Sequence, residues 1–201
     1  MKLYCSANSP YARKVRVVAV ELEVFDKIEF VETNPRDAET GFWDLNPVGK
    51  IPALALGDGQ VIYDSPVICE YLDDQYGEGT LGGSGSSIWR IKTLVALADG
   101  MMDAAMAARL EGMRPENEQS PAWIEKQLAT VDRGFDALQD CVDELDGEVD
   151  QASIAAACAI FWIGFRHPQR DWLAGREDLA NWHRRFSERP SMKRTAPDAG
   201  L

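Results

Sequence analysis

The segment Asn46-Pro47-Val48-Gly49-Lys50-Ile51-Pro52 constrains this chain more than any other, because it sets a proline where a strand should begin. Proline lacks an N–H and has a fixed φ, so Pro52 belongs at the entry of a strand and not in its interior. The Ile51-Pro52 bond is also one of the few kinds that adopt the cis form. A cis bond there would turn the N–H and C=O of Ile51 outward, leaving a donor and an acceptor open to an extended peptide. Ala53-Leu54-Ala55-Leu56 and Val61-Ile62-Tyr63 then flank Gly57-Asp58-Gly59-Gln60, whose Asp-Gly step predicts two antiparallel strands joined as a hairpin. Asp64-Ser65-Pro66 ends the second strand and opens a helix, with Ser65 expected as N-cap and Pro66 at the first helical position. The free N–H groups of such a turn can receive a carboxylate.

The same device stands near the N-terminus. Lys2-Leu3-Tyr4-Cys5 reads as a short strand, and Ser9-Pro10 starts a helix in which Tyr11, Val15, Val18, Ala19 and Leu22 recur at helical spacing. A second strand is expected around Ile28 to Val31, then a polar stretch, Asn34-Pro35-Arg36-Asp37, and a short helix. The glycine-rich run from Gly77 to Ser87 predicts a flexible connection. Beyond it the pattern is helical. One helix is expected over Ile88 to Leu110, another over Trp123 to Leu145, a helix buried on all sides over Ala152 to Gly164, and a last one around Asp178 to Arg189 that stops at Pro190. The expected division is 1–78 for an α/β domain, 79–87 for a linker and 88–201 for a helical bundle.

Composition narrows the partners. A formal charge of −12 over 201 residues disfavours nucleic acid and anionic membrane surfaces, which need clustered Lys and Arg. The longest apolar run, Ala152 to Gly164, falls short of the roughly 18 residues a membrane span requires. Met1-Lys2 leads straight into a strand pattern, so a cytoplasmic location is expected. Cysteines 5, 69, 141 and 158 form no C-x-x-C pair, which fits reduced thiols, and His167 and His183 lack a zinc-helix spacing, so no metal is expected.

Through Ser9-Pro10-Tyr11, Asn46-Pro47-Val48-Gly49-Lys50-Ile51-Pro52 and Asp64-Ser65, followed by an all-helical half, essentially the whole chain resembles the glutathione transferase superfamily. The resemblance implies a thioredoxin-like βαβαββα domain followed by a C-terminal helical bundle. It implies a cis Pro52 as a structural residue, Ile51 binding the cysteinyl backbone of glutathione, and Asp64 and Ser65 holding the γ-glutamyl end. Glutathione would be a co-substrate, a small electrophile the second substrate, and the assembly a homodimer. Lys50 is a candidate for the glycine carboxylate. Two departures stand out. Asp64 is one methylene shorter than the Glu common in the family. At the start of the buried helix, Ser153 is followed three residues later by Ala156 where the family has Asp, so half of a reciprocal cap is expected to be missing.

Within that resemblance Ser9 is the candidate catalytic residue. Its hydroxyl, at a helix N-terminus, would donate a hydrogen bond to the glutathione sulfur while the helix dipole favours the anion. Ser6, in the same loop, is the rival donor. Cys5 would point instead to a glutathione-dependent thiol oxidoreductase or peroxidase, although its strand position suits a buried thiol. A third reading is a non-catalytic interaction module. Met101, Met102, Ala105, Met106 and Arg109, with Phe165 and Arg166, are candidates for the electrophile's surroundings, and a methionine stripe equally suits a core.

Overall fold

Lys2–Cys5 forms strand β1, and alternation fixes its faces: Leu3 and Cys5 are fully buried while Lys2 is exposed. The computed structural model describes residues 1–201, apart from the side chain of Ala38. Ser9 then caps helix α1, Pro10–Glu21, which crosses over to β2, Glu29–Glu32, parallel to β1 in the register Lys2↔Glu29 to Cys5↔Glu32. A short helix, α2, spans Phe42–Leu45. The hairpin follows as β3, Ala53–Ala55, antiparallel to β1, and β4, Val61–Ile62, antiparallel to β3. Its turn is held by Leu56 N–H on the Gln60 carbonyl at 2.8 Å and by Gln60 N–H on the Asp58 carboxylate at 2.9 Å, with Gly59 at φ +92°. The sheet order is β2-β1-β3-β4, and helix α3, Ser65–Tyr76, packs beside α1.

The helical part comprises α4 (Ser87–Gly112), α5 (Pro121–Asp140), α6 (Val142–Leu145), α7 (Gln151–Arg166), α8 (Glu177–Ser187) and α9 (Pro190–Arg194). The segment expected as one helix to Leu145 breaks at Cys141. Pro190 begins a helix instead of only ending one, as its missing N–H permits at a first helical position. Helix α7 is the core of this part, with every residue from Gln151 to Ile160 buried. Its cap corrects the expectation of a half-missing pair. Asp150 is the N-cap and accepts from Ser153 N–H at 2.8 Å, while Ser153 Oγ accepts from Asp150 N–H at 3.0 Å, so the reciprocal cap is complete one turn earlier, with Asp and Ser exchanged. Met101 and Met102 are core residues; a Cβ on Gly134 of α5 would meet Met101 Cγ at 2.3 Å, which shows how closely these helices approach.

Packing divides the chain into two units, Met1–Ile88 with Glu188–Leu201, and Trp89–Ser187. The last fourteen residues therefore belong with the sheet, whereas the sequence placed them with the bundle. The reason is polar. Helix α1 carries Arg13, Lys14 and Arg16, all buried, and the returning chain supplies acceptors: Arg13 Nη2 donates to the Met192 carbonyl at 3.1 Å and Arg16 Nη2 to the Gly200 carbonyl. Glu21 accepts from Arg189 Nε and Nη2 at 3.0 and 2.9 Å and from the Ser191 hydroxyl. The glycine-rich connection is also anchored at its start, since buried Asp73 accepts from the N–H groups of Leu81 at 3.1 Å and Gly82 at 2.6 Å.

Candidate functional site

Strand directions decide which residues meet. β1 and β2 run one way and β3 returns, so the end of β1 lies beside the start of β3; β4 turns back again, so its end lies there too. The loop Ser6 to Ser9 leaves that end of the sheet, Ile51-Pro52 enters it, and Asp64-Ser65 leaves it. Tyr4 pairs with Ala53, and continuing that register brings Ile51 level with Ser6. Helices α1 and α3 both begin at this end, and neither has an acidic residue in its first turn. The positive end of α1 is thus unneutralised from within, while that of α3 has the carboxylate of its N-cap, Asp64, beside it.

Ser9 is half-buried and caps α1: its Oγ accepts from Ala12 N–H at 3.2 Å, and its own N–H closes a tight turn on the Ser6 carbonyl at 3.0 Å. That use of the oxygen leaves the hydroxyl hydrogen out of the cap. Ser6 and Ser9 are the two ends of one turn, and Ser9 is the one on the helix.

The Asn46 to Pro52 segment is organised by Asn46, whose role the sequence did not disclose. This buried amide donates from Nδ2 to the Lys50 carbonyl at 2.7 Å and accepts at Oδ1 from Val48 N–H at 3.0 Å, while its carbonyl takes Gly49 N–H at 2.8 Å. Gly49 sits at φ +65°, which favours glycine, and a Cβ there would also lie close to Trp43 Nε1, at 3.2 Å. The Ile51-Pro52 peptide is cis, as the resemblance implied, and Tyr63-Asp64 is cis as well. Ile51 precedes β3 and is half-buried; Lys50 is exposed.

At the third segment the expected cap shifts by one residue. Asp64 is the N-cap of α3 and Ser65 its first helical residue, with the Asp64 carbonyl accepting from Ile68 N–H at 3.0 Å. The Asp64 side chain makes no cap bond and is exposed, whereas Ser65 is buried. The two neighbours therefore present different things at this end: a carboxylate in water and a hydroxyl in the wall.

Cys5 lies behind the site, in the core. Burial pushes its thiol pKa up, Arg16 only partly offsets this and Glu32 adds to it, so it reaches about 12. All four cysteines are buried thiols outside any disulfide. Among the described residues no group of three His, Cys, Asp or Glu side chains is placed to hold a metal ion, and no helix is long and apolar enough to cross a membrane.

Comparison with known proteins agrees with this architecture over nearly the full chain. Residues 8–75 match the family model for the glutathione S-transferase N-terminal domain, and residues 121–185 that for the C-terminal domain. The chain is 32% identical to the uncharacterized GST-like protein YibF of Escherichia coli (strain K12), over 98% of each chain. Among solved structures it is similar to a glutathione transferase family member from Pseudomonas fluorescens Pf-5 with bound glutathione, at 37% identity and a TM-score of 0.89 over 98% of both chains. It is also similar to a glutathione S-transferase from Methylobacillus flagellatus KT with glutathione bound, at 39% identity and a TM-score of 0.91 over 98% of both.

Proposed function

The chain belongs to the glutathione transferase superfamily, and from that membership we propose that it is a glutathione S-transferase that activates the tripeptide's thiol for attack on small electrophiles. The observation that carries the reading is the convergence of Ser9, Ile51 and Asp64-Ser65 at the sheet end where two helices begin. In this reading the N–H and C=O of Ile51 pair with the cysteinyl backbone in the manner of an added strand. Asp64 receives the γ-glutamyl ammonium, the Ser65 hydroxyl and the N-terminus of α3 receive its carboxylate, and Lys50 meets the glycine carboxylate. Pro52 is structural.

Free thiols of this kind titrate near 8.5, so only a few per cent is thiolate at neutral pH. The Ser9 hydroxyl donates to the sulfur while its oxygen keeps the Ala12 cap, and the α1 dipole adds to the stabilisation of the anion. Each unit of pKa depression corresponds to about 1.4 kcal/mol, within reach of one charge-assisted bond plus the dipole. The thiolate lone pair then forms a C–S bond to the electrophilic carbon, the leaving group departs with its bonding pair, and the thiol proton passes to solvent. A thiol-exchange reading is disfavoured, because the cysteine nearest this turn is buried and its pKa is pushed up to about 12.

Cytoplasmic location and a homodimer belong to the same proposal. The open edge of β4 and the face of α3 border a groove of about 700 Å³ lined by Val61, Tyr63, Val67 and Tyr71 among others, an unpaired edge suited to burial against a second copy. Sedimentation should give twice the 22.3 kDa chain mass; a monomer alone would remove this part. The decisive experiment is calorimetric titration with glutathione and an S-alkyl derivative up to millimolar concentration. Saturable one-to-one binding that weakens at least tenfold in Ser65→Ala supports the site, and no binding of either overturns the transferase reading in favour of a non-catalytic module.

A further inference from the structure

Helix α2 carries two adjacent aromatic residues with opposite fates. Phe42 is buried beside Tyr4 of β1, with ring centroids 5.9 Å apart, whereas Trp43 is 49% exposed. The core makes little use of the second ring, yet the chain holds it in place. Trp43 Nε1 donates to the Pro35 carbonyl at 3.0 Å, and the same edge of the indole stands 3.2 Å from where a Cβ on Gly49 would be. The indole is thus seated between two loops, one before α2 and one after it, and its only polar atom is satisfied by the protein. Val48, next to Gly49, is 62% exposed, and its backbone N–H is fixed by Asn46 Oδ1 at 3.0 Å.

Single exposed apolar residues need no explanation, but these two adjoin the segment proposed to hold the tripeptide. In the transferase reading Ile51 pairs with the cysteinyl backbone and Lys50 meets the glycine carboxylate, so ligand and protein run antiparallel, residue against residue. The next residue of a longer ligand, about 3.3 Å further on, would come level with Gly49. The protein's own extended backbone ends there. Asn46 Nδ2 holds the Lys50 carbonyl at 2.7 Å, and Gly49 turns at φ +65° with its N–H on the Asn46 carbonyl at 2.8 Å. What such a residue meets at that level is the pair Trp43 and Val48, and not a strand. Arg36 and Lys50 are exposed around the indole, but so are Glu39 and Asp44, so the ring and not the charge distinguishes this patch.

We propose that Trp43 and Val48 form a subsite for an aromatic residue joined to the glycine of the tripeptide, which makes C-terminally extended γ-glutamyl-cysteinyl-glycyl peptides a class of thiol that this protein binds. The inference rests on the transferase reading, since Ile51 and Lys50 set the register. A ring fixed before the ligand arrives loses little freedom when it is covered, and contact between two aromatic groups adds to the apolar area removed from water. In the extended peptide the glycine carboxylate becomes an amide, whose oxygen still accepts from Lys50 Nζ. Glutathione itself ends short of the indole, so the Trp43 and Val48 side chains add nothing to its binding.

The test is calorimetric titration of the full-length protein with S-methylglutathione and with the S-methyl forms of the peptides γ-Glu-Cys-Gly-Gly and γ-Glu-Cys-Gly-Phe. The phenylalanyl peptide should bind at least tenfold more tightly than the glycyl one. Trp43→Ala should abolish that ratio and Val48→Ser, which leaves the indole's bond to Pro35 alone, should cut it at least threefold, with S-methylglutathione bound within twofold of the parent in both. Trp43→Phe, which keeps a ring without the N–H, should retain a preference of at least threefold, and Ser65→Ala should weaken all three peptides alike. Equal binding of the two extended peptides, or a preference that survives both Trp43→Ala and Val48→Ser, overturns the proposal and leaves the transferase reading standing. Loss of all three peptides alike in Val48→Ser would make the loop a support of the tripeptide site and also overturns it. Preference for the phenylalanyl peptide without saturable binding of S-methylglutathione defeats the assignment of glutathione as co-substrate alone, and no binding of any of the three overturns both.

Discussion

A serine that caps a helix and a serine that activates a thiol use different parts of one hydroxyl; Ser9 is seen to do the first and is proposed to do the second. Ser9→Ala removes the acceptor for Ala12 N–H, so it should cost about 1 kcal/mol of stability. The proposed donor role predicts more: kcat/KM toward an activated aryl halide should fall at least tenfold, and the pH at which activity is half-maximal should rise, because the thiol is no longer held anionic. A stability loss with unchanged kcat/KM would reduce Ser9 to a cap. Asn46 makes a separate case. It serves the Lys50 carbonyl and the Val48 N–H from one buried amide, so Asn46→Ala leaves both groups unpaired and should cost about 1–3 kcal/mol. Its kinetic mark should be a raised KM for glutathione with kcat little changed, since the loop it holds carries Ile51 and Lys50 and not the thiol donor. Cys5→Ala should leave turnover as it is. With its thiol buried and its pKa pushed up to about 12, Cys5 stays protonated across the physiological range, and alkylation of the native protein at neutral pH should not reach it. Turnover lost in Cys5→Ala would restore the thiol-exchange reading.

Among the elements, α7 shows how a local rule governs a buried helix. Its N-terminus depends on the Asp150–Ser153 exchange, two backbone N–H groups satisfied by two side chains. Asp150→Ala should therefore lower the free energy of unfolding by about 1–2 kcal/mol in a denaturant titration. Asp150→Asn, which keeps an acceptor oxygen, should recover most of it. If the alanine variant were as stable as the parent, burial of α7 alone would suffice and the cap would be incidental. The expected Ser-then-Asp order is reversed in this chain, and either order presents an oxygen to each N–H.

At the scale of the molecule, the chain ends on its first unit. Glu188–Leu201 returns to α1, and the junction is polar: Arg189 and Ser191 on Glu21, with Arg194 and Asp26 paired at 2.5 Å further out. Burial pushes the Glu21 carboxyl up, but the bonds from Arg189 and Ser191 and the Arg189 charge outweigh it and hold the carboxyl below the usual range. A carboxyl depressed in the folded state contributes its stability in full above the ordinary glutamate pKa and loses it as pH falls through the lower folded value. Glu21→Gln should thus cost about 1 kcal/mol at pH 7, a modest figure because Arg189 is 38% exposed and partly screened. The gap between parent and variant should close on acidification below the folded pKa. A gap that stays constant with pH would show that packing, and not charge, holds the segment.

The sequence by itself determined what is settled within a few residues: the strands of period two, the Asp58-Gly59 hairpin, the start of α1 at Ser9-Pro10, and the proline that opens β3. Each rests on dihedral limits and on hydrogen bonds to near neighbours, which any tertiary setting must respect. Only the tertiary structure decided which of these features stand together. Ser9 and Ser65 are far apart in the chain and share one end of the sheet because β3 runs back along β1 and β4 reverses again beside β3. The shift of the Cys5 thiol comes from the layers packed over it, and the place of the last fourteen residues is marked by the carbonyls of Met192 and Gly200 that accept from buried Arg13 and Arg16 of α1. Burial and long-range pairing are properties of the assembled surface, and no spacing along the chain encodes them.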